Sequence, residues 1–166
     1  MIQSIVHAIL SGRHCMISGA GGTGKSYLIR HLKQRLSSYH VKVMSSTGVS
    51  AISVQGVTVH SGFCLGLAKG TQKDILDQVS KSPFRFNIMK YDIVVIDEIS
   101  MISKHILDLI DVICRTIRRI DRPFGGIRMI FLGDFLQLPP VNGEWAFQSS
   151  IWTSLVADKS LCFFIL

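Results

Sequence analysis

Apolar and polar positions alternate along this chain in two rhythms. Short, largely apolar runs at His14–Ser18, Val41–Met44, Ile93–Ile96, Met129–Leu132 and Ser160–Leu166 predict five strands. Ile93-Val94-Val95-Ile96, β-branched throughout and bounded by Asp92 and Asp97, has the pattern of a strand covered on both faces of a parallel sheet. Between the runs the spacing turns helical. Ile2–Leu10 carries apolar residues at 2, 5, 6, 9 and 10 and stops at Gly12. Tyr27–Ser38 carries Leu28, Ile29, Leu32 and Leu36. Lys104–Ile120 sets a stripe of Ile106, Leu109, Ile110, Ile113, Ile117 and Ile120 opposite Asp108, Asp111, Arg115, Arg118 and Arg119. Lys73–Ser80 fits a short amphipathic helix, and Lys81–Lys90, broken by Pro83, fits a connector. The Ser, Thr and Gly content of Gly48–Leu67 predicts surface loop with a short helix at most. Pro123–Gly126 is a turn, and Pro139-Pro140 makes Phe135–Val141 a loop. Strands alternating with helices imply one α/β domain over residues 1–166: a parallel sheet with helices on both faces and the chemistry at the carboxyl ends of the strands.

Composition narrows the class. With 48% hydrophobic and 17% charged residues over 166 positions, the chain has material for one real core and is cramped for two. No apolar run approaches the roughly 18 residues of a membrane span, and the N-terminus lacks the basic-then-apolar pattern of a secretion signal. An intracellular protein with no membrane partner is expected, in a compartment that composition does not distinguish. Cys15, Cys64, Cys114 and Cys162 are far apart and form no Cys/His cluster at zinc-ligand spacing, so reduced, mostly buried thiols are expected. Residues 1–73 hold eight Lys or Arg and no Asp or Glu. Two readings follow: a polyanionic partner, or a solvated helix face of Arg30, Lys33 and Arg35 with Lys25 serving a nucleotide alone.

The candidate chemistry starts at Gly19-Ala20-Gly21-Gly22-Thr23-Gly24-Lys25-Ser26, which fits G-x-x-x-x-G-K-[ST] between a strand and a helix. The glycines let successive N–H groups point inward, and the helix that follows adds its unpaired donors and positive dipole end. Lys25 would reach β and γ phosphates, and the Ser26 hydroxyl would supply one ligand to magnesium. Asp97-Glu98 follows the Ile93–Ile96 strand, at the same sheet edge. Asp97 would hold the metal through its water shell or Ser26, and Glu98 would orient and deprotonate an attacking water. Gln137, after the fourth long strand, offers a neutral amide that could report on a γ-phosphate. Asp134 could cap its turn or act on the nucleotide.

Six blocks together carry a family resemblance. They are Gly19–Ser26, Ser46-Thr47-Gly48-Val49-Ser50-Ala51, Thr58-Val59-His60-Ser61, Ile96-Asp97-Glu98-Ile99-Ser100-Met101, Pro123-Phe124-Gly125-Gly126-Ile127 and Gly133–Val141. In this order they resemble the petite-integration-frequency family of superfamily 1 DNA helicases, over nearly the whole chain. The resemblance implies a RecA-like P-loop NTPase fold and a first motor domain. It further implies ATP hydrolysis with Mg2+, movement along single-stranded DNA in the 5′ to 3′ direction, and roles in DNA repair, recombination or replication. It matches Lys25 and Ser26 to the nucleotide loop, Asp97 and Glu98 to metal and water, and Gln137 to the γ-phosphate sensor. Thr47, Gly48, His60 and Ser61 match blocks that line the DNA groove. Phe63 has two open readings, a platform stacked on a base or a loop aromatic folded into the core. His60 alone reads as structural, and only its block makes it a DNA contact.

The match is incomplete at three points. The glutamine that reads adenine in the family has only Gln3 near its place, one residue out of register. The family continues beyond the position of Leu166 into an Arg-Gln block and a second motor domain. That domain brings arginines that act on the transferring phosphoryl group, an effect of roughly 10³–10⁵ in rate, and Arg115, Arg118 and Arg119 offer no substitute. The 166 residues alone are therefore expected to bind nucleotide without unwinding a duplex, a second motor domain or second copy supplying the arginine. Two other classes fit the same residues: a regulatory module that binds nucleotide or DNA without turnover, and another RecA-like ATPase that assembles as a ring.

Overall fold

The computed structural model describes residues 1–166. Six strands form one all-parallel sheet: β1 His14–Ser18, β2 Val41–Ser45, β3 Val57–Thr58, β4 Ile93–Asp97, β5 Arg128–Gly133 and β6 Leu161–Ile165, in the order β3-β2-β4-β5-β1-β6. Alternation along each strand sends side chains to two separate cores. Met16, Met44, Val94, Ile96, Met129 and Phe131 face one core, and Cys15, Ile17, Val43, Val95, Ile130 and Leu132 face the other. Both sets are buried, which is why these strands read as continuous apolar runs.

Helices α1 Ile2–Leu10 and α2 Lys25–Arg35 cover the second face through Ile5, Ile9, Leu28, Ile29 and Leu32. The predicted bounds of α1 hold, whereas α2 starts at Lys25 instead of Tyr27. Gly24 adopts φ 92, and the chain enters the helix directly behind it. The first face is covered by α5 Gln72–Lys81, α6 Arg85–Lys90, α7 Lys104–Arg118 and α8 Ser150–Ala157. None of these helices is long and apolar enough to cross a membrane.

Four stretches depart from expectation. Gly48–Leu67 is not surface loop: it holds α3 Gly48–Ser53, then β3, then α4 Val59–Gly62, with Val59, Phe63 and Leu65 fully buried. Its glycines permit close approach, since a Cβ on Gly56 would lie 2.5 Å from the Val43 carbonyl oxygen and one on Gly62 2.5 Å from Met44 Cε. Pro83 ends α5, but the chain resumes as α6 because buried Ile88 anchors it. The pattern assigns residues 142–159 no element, yet they contain α8, capped by Ser149 Oγ, which accepts from the Trp152 amide at 3.1 Å. Trp152 is buried against Phe131, with ring centroids 5.3 Å apart.

The polar side of α7 is the fourth departure. Asp111 is buried and accepts from Arg115 Nε at 3.0 Å and from the Phe124 amide at 2.6 Å. Arg118 donates to the carbonyls of Gly125 at 2.7 Å, Ile88 at 3.0 Å, Met89 at 2.9 Å and Tyr91 at 2.9 Å. These two residues tie the end of α6 and the Pro123–Gly126 turn to α7. On the side opposite the apolar stripe, Asp111 and Arg118 thus form a polar seam.

His14 does similar work at the amino end of the sheet. Its Nδ1 accepts from the Met129 amide at 3.0 Å, and burial pushes its pKa down to about 4, the Asp158 charge opposing this in part. The unfolded chain takes up this proton near pH 6.5 and the folded one only near 4, so stability falls as pH is lowered through that window. His14 is expected to remove about 2 kcal/mol of stability between pH 7 and pH 5. Urea unfolding of His14→Asn, whose carbonyl oxygen can take the Met129 amide without titrating, should show a smaller loss by that amount. An equal loss in both proteins would exclude His14 as the titrating group.

Candidate nucleotide and nucleic-acid site

The glycine loop leaves β1 where Ser18 is in register with Gly133, and the Gly19 amide donates to the Gly133 carbonyl at 3.2 Å. Position 19 has no room for a side chain, because a Cβ there would lie 2.7 Å from Thr23 Oγ1. The Thr23 amide and hydroxyl both donate to the Ala20 carbonyl, at 3.3 and 2.8 Å, and close the turn. The first amide bonded back along α2 is that of Leu28, to Gly24 at 2.9 Å. The amides of Lys25, Ser26 and Tyr27 therefore point out of the helix start as donors for an anion. Ala20–Gly24 and Ser26 are exposed. Lys25 is only 9% exposed, and its Nζ donates to the carbonyls of Gly19 at 2.7 Å and Ala20 at 3.0 Å. Its positive charge lies inside the curl of the loop.

Asp97 is the last residue of β4 and not the first beyond it, in register with Ser45 of β2. It is 5% exposed, and its Oδ1 accepts from the Glu98 amide at 3.0 Å. Burial and the neighbouring Glu98 charge raise its pKa above the usual carboxylate range, against the pull of the Glu98 amide and the Lys25 ammonium. A cation beside Asp97 would favour its charged form. Glu98 adopts φ 57, uncommon for a residue with a side chain, at the point where the chain turns from β4 into the Ile99–Met101 turn. Asp97 is buried and Glu98 half-exposed. No group of three or more His, Cys, Asp or Glu is placed to enclose a metal. That donor set suits magnesium carried by a nucleotide, with Ser26 and Asp97 adding to phosphate oxygens and waters.

Gln137 is exposed in the loop after β5, and its amide donates to Asp134 Oδ2 at 3.2 Å. Asp134 Oδ1 accepts from the Leu136 amide at 3.0 Å, so of its two expected roles this carboxylate takes the turn cap. Gln137 makes no hydrogen bond to Lys25, Asp97 or Glu98. The side chain that the spacing misses is Ser100, whose Oγ is buried beside this edge without a partner.

The residues expected to contact nucleic acid divide. Thr47 and His60 each lie two residues past a registered pair, Ser45 and Thr58, so their segments leave neighbouring strands at one level. Thr47 Oγ1 caps α3 by accepting from the Ser50 amide at 3.2 Å, and Gly48 is exposed at the first turn of that helix. His60 is half-buried and Ser61 exposed on α4, which is capped by Thr58. Phe63 does not belong with them. It is fully buried, edge-on to Tyr91 with centroids 6.3 Å apart, and the Tyr91 hydroxyl donates to the Gly62 carbonyl at 3.1 Å. The core reading of Phe63 holds and the stacking reading fails. The signal was present in the sequence: Val59 and Phe63 are four residues apart, on one side of a helical turn.

Comparison with known proteins gives a consistent result. A family model described as PIF1-like helicase matches residues 1–161. The ATP-dependent DNA helicase PIF1 of Saccharomyces cerevisiae is 37% identical over 163 residues, covering 90% of this chain and 19% of the yeast protein. The crystal structure of Pif1 helicase from Candida albicans superposes with a TM-score of 0.89 at 33% identity, over 99% of this chain and 38% of that one. Pif1 helicase from Bacteroides in complex with ADP-AlF3 and ssDNA superposes with a TM-score of 0.75 at 27% identity, over 99% of this chain and 40% of that one. The chain spans between 15% and 35% of the length of these curated relatives.

Proposed function

This chain belongs to the PIF1-like helicase family, and on that premise we propose that residues 1–166 are the RecA-like first motor domain of an ATP-dependent DNA helicase, binding ATP with magnesium and single-stranded DNA. One observation carries the nucleotide half: a buried lysine inside a glycine loop, with the buried carboxylate of Asp97 in its field. The DNA half is supported by the Bacteroides relative, whose complex contains both a nucleotide analogue and ssDNA.

In this reading the loop amides and Lys25 bind the phosphates. Ser26 and Asp97 hold the metal, which when bound neutralises charge on the phosphate oxygens. Glu98, half-exposed beside Asp97, takes the proton of the attacking water. Gln137 reports on the γ-phosphate by exchanging Asp134 for it. Arg118 is committed to four backbone carbonyls and Arg115 to Asp111 and Asp121. The arginine that stabilises the transferring phosphoryl group is accordingly assigned to a second motor domain or a second copy. The four free cysteines support a reducing, intracellular setting.

The test is Mg-ATP binding and turnover by this chain, with and without oligothymidylate. Saturable nucleotide binding is expected, with turnover low until a second motor domain or second copy supplies the arginine, and rising with DNA when it does. A chain that binds neither nucleotide nor DNA would overturn the reading.

A further inference from the structure

Two depressions adjoin near the β3 edge of the sheet. The larger, an open groove of about 710 Å³, is lined by Thr58, His60, Ser61, Lys81 and Phe84 among others. The smaller, of about 210 Å³, includes Lys42 and Asn87 and shares Ser61, Cys64 and Phe84 with the first. Phe84 therefore stands between them, with a lysine in each. No Asp or Glu lines either depression.

Phe84 is 66% exposed, although a phenylalanine gains by leaving water. Its backbone is nonetheless held: it follows Pro83, and its amide donates to Ser82 Oγ at 3.2 Å. A ring on a stiffened turn loses little freedom when something stacks on it. Lysines on either side with no opposing carboxylate favour a polyanion, and an exposed aromatic between cations suits unstacked bases. A duplex keeps its bases stacked away from such a ring. The position agrees as well, since Thr58 is in register with Ser45, and Ser45 with Asp97. The larger depression thus opens toward the same end of the strands as the acidic pair, while Lys42, in register with Val94, sets the smaller one nearer their amino ends.

We propose that Phe84 is a base-stacking platform for single-stranded DNA, with Lys42 and Lys81 as phosphate contacts on either side of it, in the role that one of the two sequence readings gives to Phe63. The inference rests on the DNA-binding part of the function proposed above. It adds a residue outside the six sequence blocks.

The experiment is fluorescence anisotropy of a labelled oligothymidylate of about 15 nucleotides, titrated with the 166-residue chain. Phe84→Ala should weaken binding about 5- to 100-fold, and Phe84→Tyr should stay within about twofold of the parent. On an abasic oligomer of equal length the parent and Phe84→Ala should bind alike, because no base remains to stack. Lys42→Ala and Lys81→Ala should each lower the salt slope by about 0.7. The exposed ring predicts an unchanged melting temperature for Phe84→Ala, which separates stacking from folding. Equal binding of parent and Phe84→Ala, or an equal loss on the abasic oligomer, overturns the inference. If His60→Ala weakens binding and Phe84→Ala does not, DNA binding stands and this inference alone falls. A parent chain that does not bind the oligomer removes both.

Discussion

Lys25→Ala is expected to weaken Mg-ATP binding by about 10²-fold and to lower turnover by at least as much. Lys25 is the only lysine or arginine among the buried residues, and it sits within the curl of the loop. Each charge-assisted hydrogen bond it makes to phosphate is worth about 1.5–3 kcal/mol, and two of them account for the loss. Its removal also takes away the positive charge that opposes the rise in the Asp97 pKa. Glu98→Gln should behave differently. It keeps the shape of a half-exposed side chain and the charge of the loop, so binding should hold within a few-fold while turnover falls about 10²–10⁴-fold, the range for losing a general base. Nucleotide-dependent thermal stabilisation and single-turnover hydrolysis read the two effects separately. A Lys25→Ala chain still stabilised by Mg-ATP like the parent would refute the assigned phosphate contact. A Glu98→Gln chain with undiminished hydrolysis would take the base role from Glu98.

The largest expected effect on stability lies away from the nucleotide, at Gly125. A Cβ there would stand 2.5 Å from the Cys114 carbonyl oxygen and 2.8 Å from its carbon, on a backbone with φ +58. Gly125→Ala combines left-handed strain with a clash against helix backbone, for a cost of about 3 kcal/mol. That corresponds to a melting temperature lower by about 6–12 °C for a chain of this size. The shift would reach beyond the turn, because the Gly125 carbonyl accepts from Arg118, which also holds three carbonyls around the end of α6. Gly48→Ala is the control. An added Cβ there meets nothing within 4 Å, so a change of less than about 0.5 kcal/mol is expected. Equal melting temperatures for the two variants would show that the turn yields, contrary to its tight packing on α7.

Pro123-Phe124-Gly125-Gly126 shows how a short sequence block can be recognised without its physical role being readable. In the sequence it is a turn between a helix and a strand. In the fold, Phe124 is fully buried with its amide on Asp111, and Gly125 lies where only a glycine fits against α7. Phe63 and Phe84 make the same point in opposite directions. Both are aromatics in polar surroundings, and one is fully buried while the other is 66% exposed. Neighbours in sequence do not decide which ring is buried. That depends on partners such as Tyr91, which meets Phe63 edge-on from 28 residues further along the chain.

Local chemistry determined a great deal of this protein. The glycine loop, the strand cores, the sheet with two covered faces and the stripe of α7 all follow from residue spacing, because strand and helix periods are properties of the backbone itself. The neighbourhood of Asp97 and the loop followed too, since parallel strands bring their carboxyl ends to one edge. Tertiary structure alone decided which polar residues work inside: Asp111 and Arg118 as a seam, and His14 as a neutral acceptor. It also decided that Phe84, not Phe63, is the ring left on the surface. Each of these depends on partners brought together by the sheet order β3-β2-β4-β5-β1-β6 and the helices laid across it. Burial and hydrogen bonding are set by those distant partners, and periodicity along the chain carries no record of them.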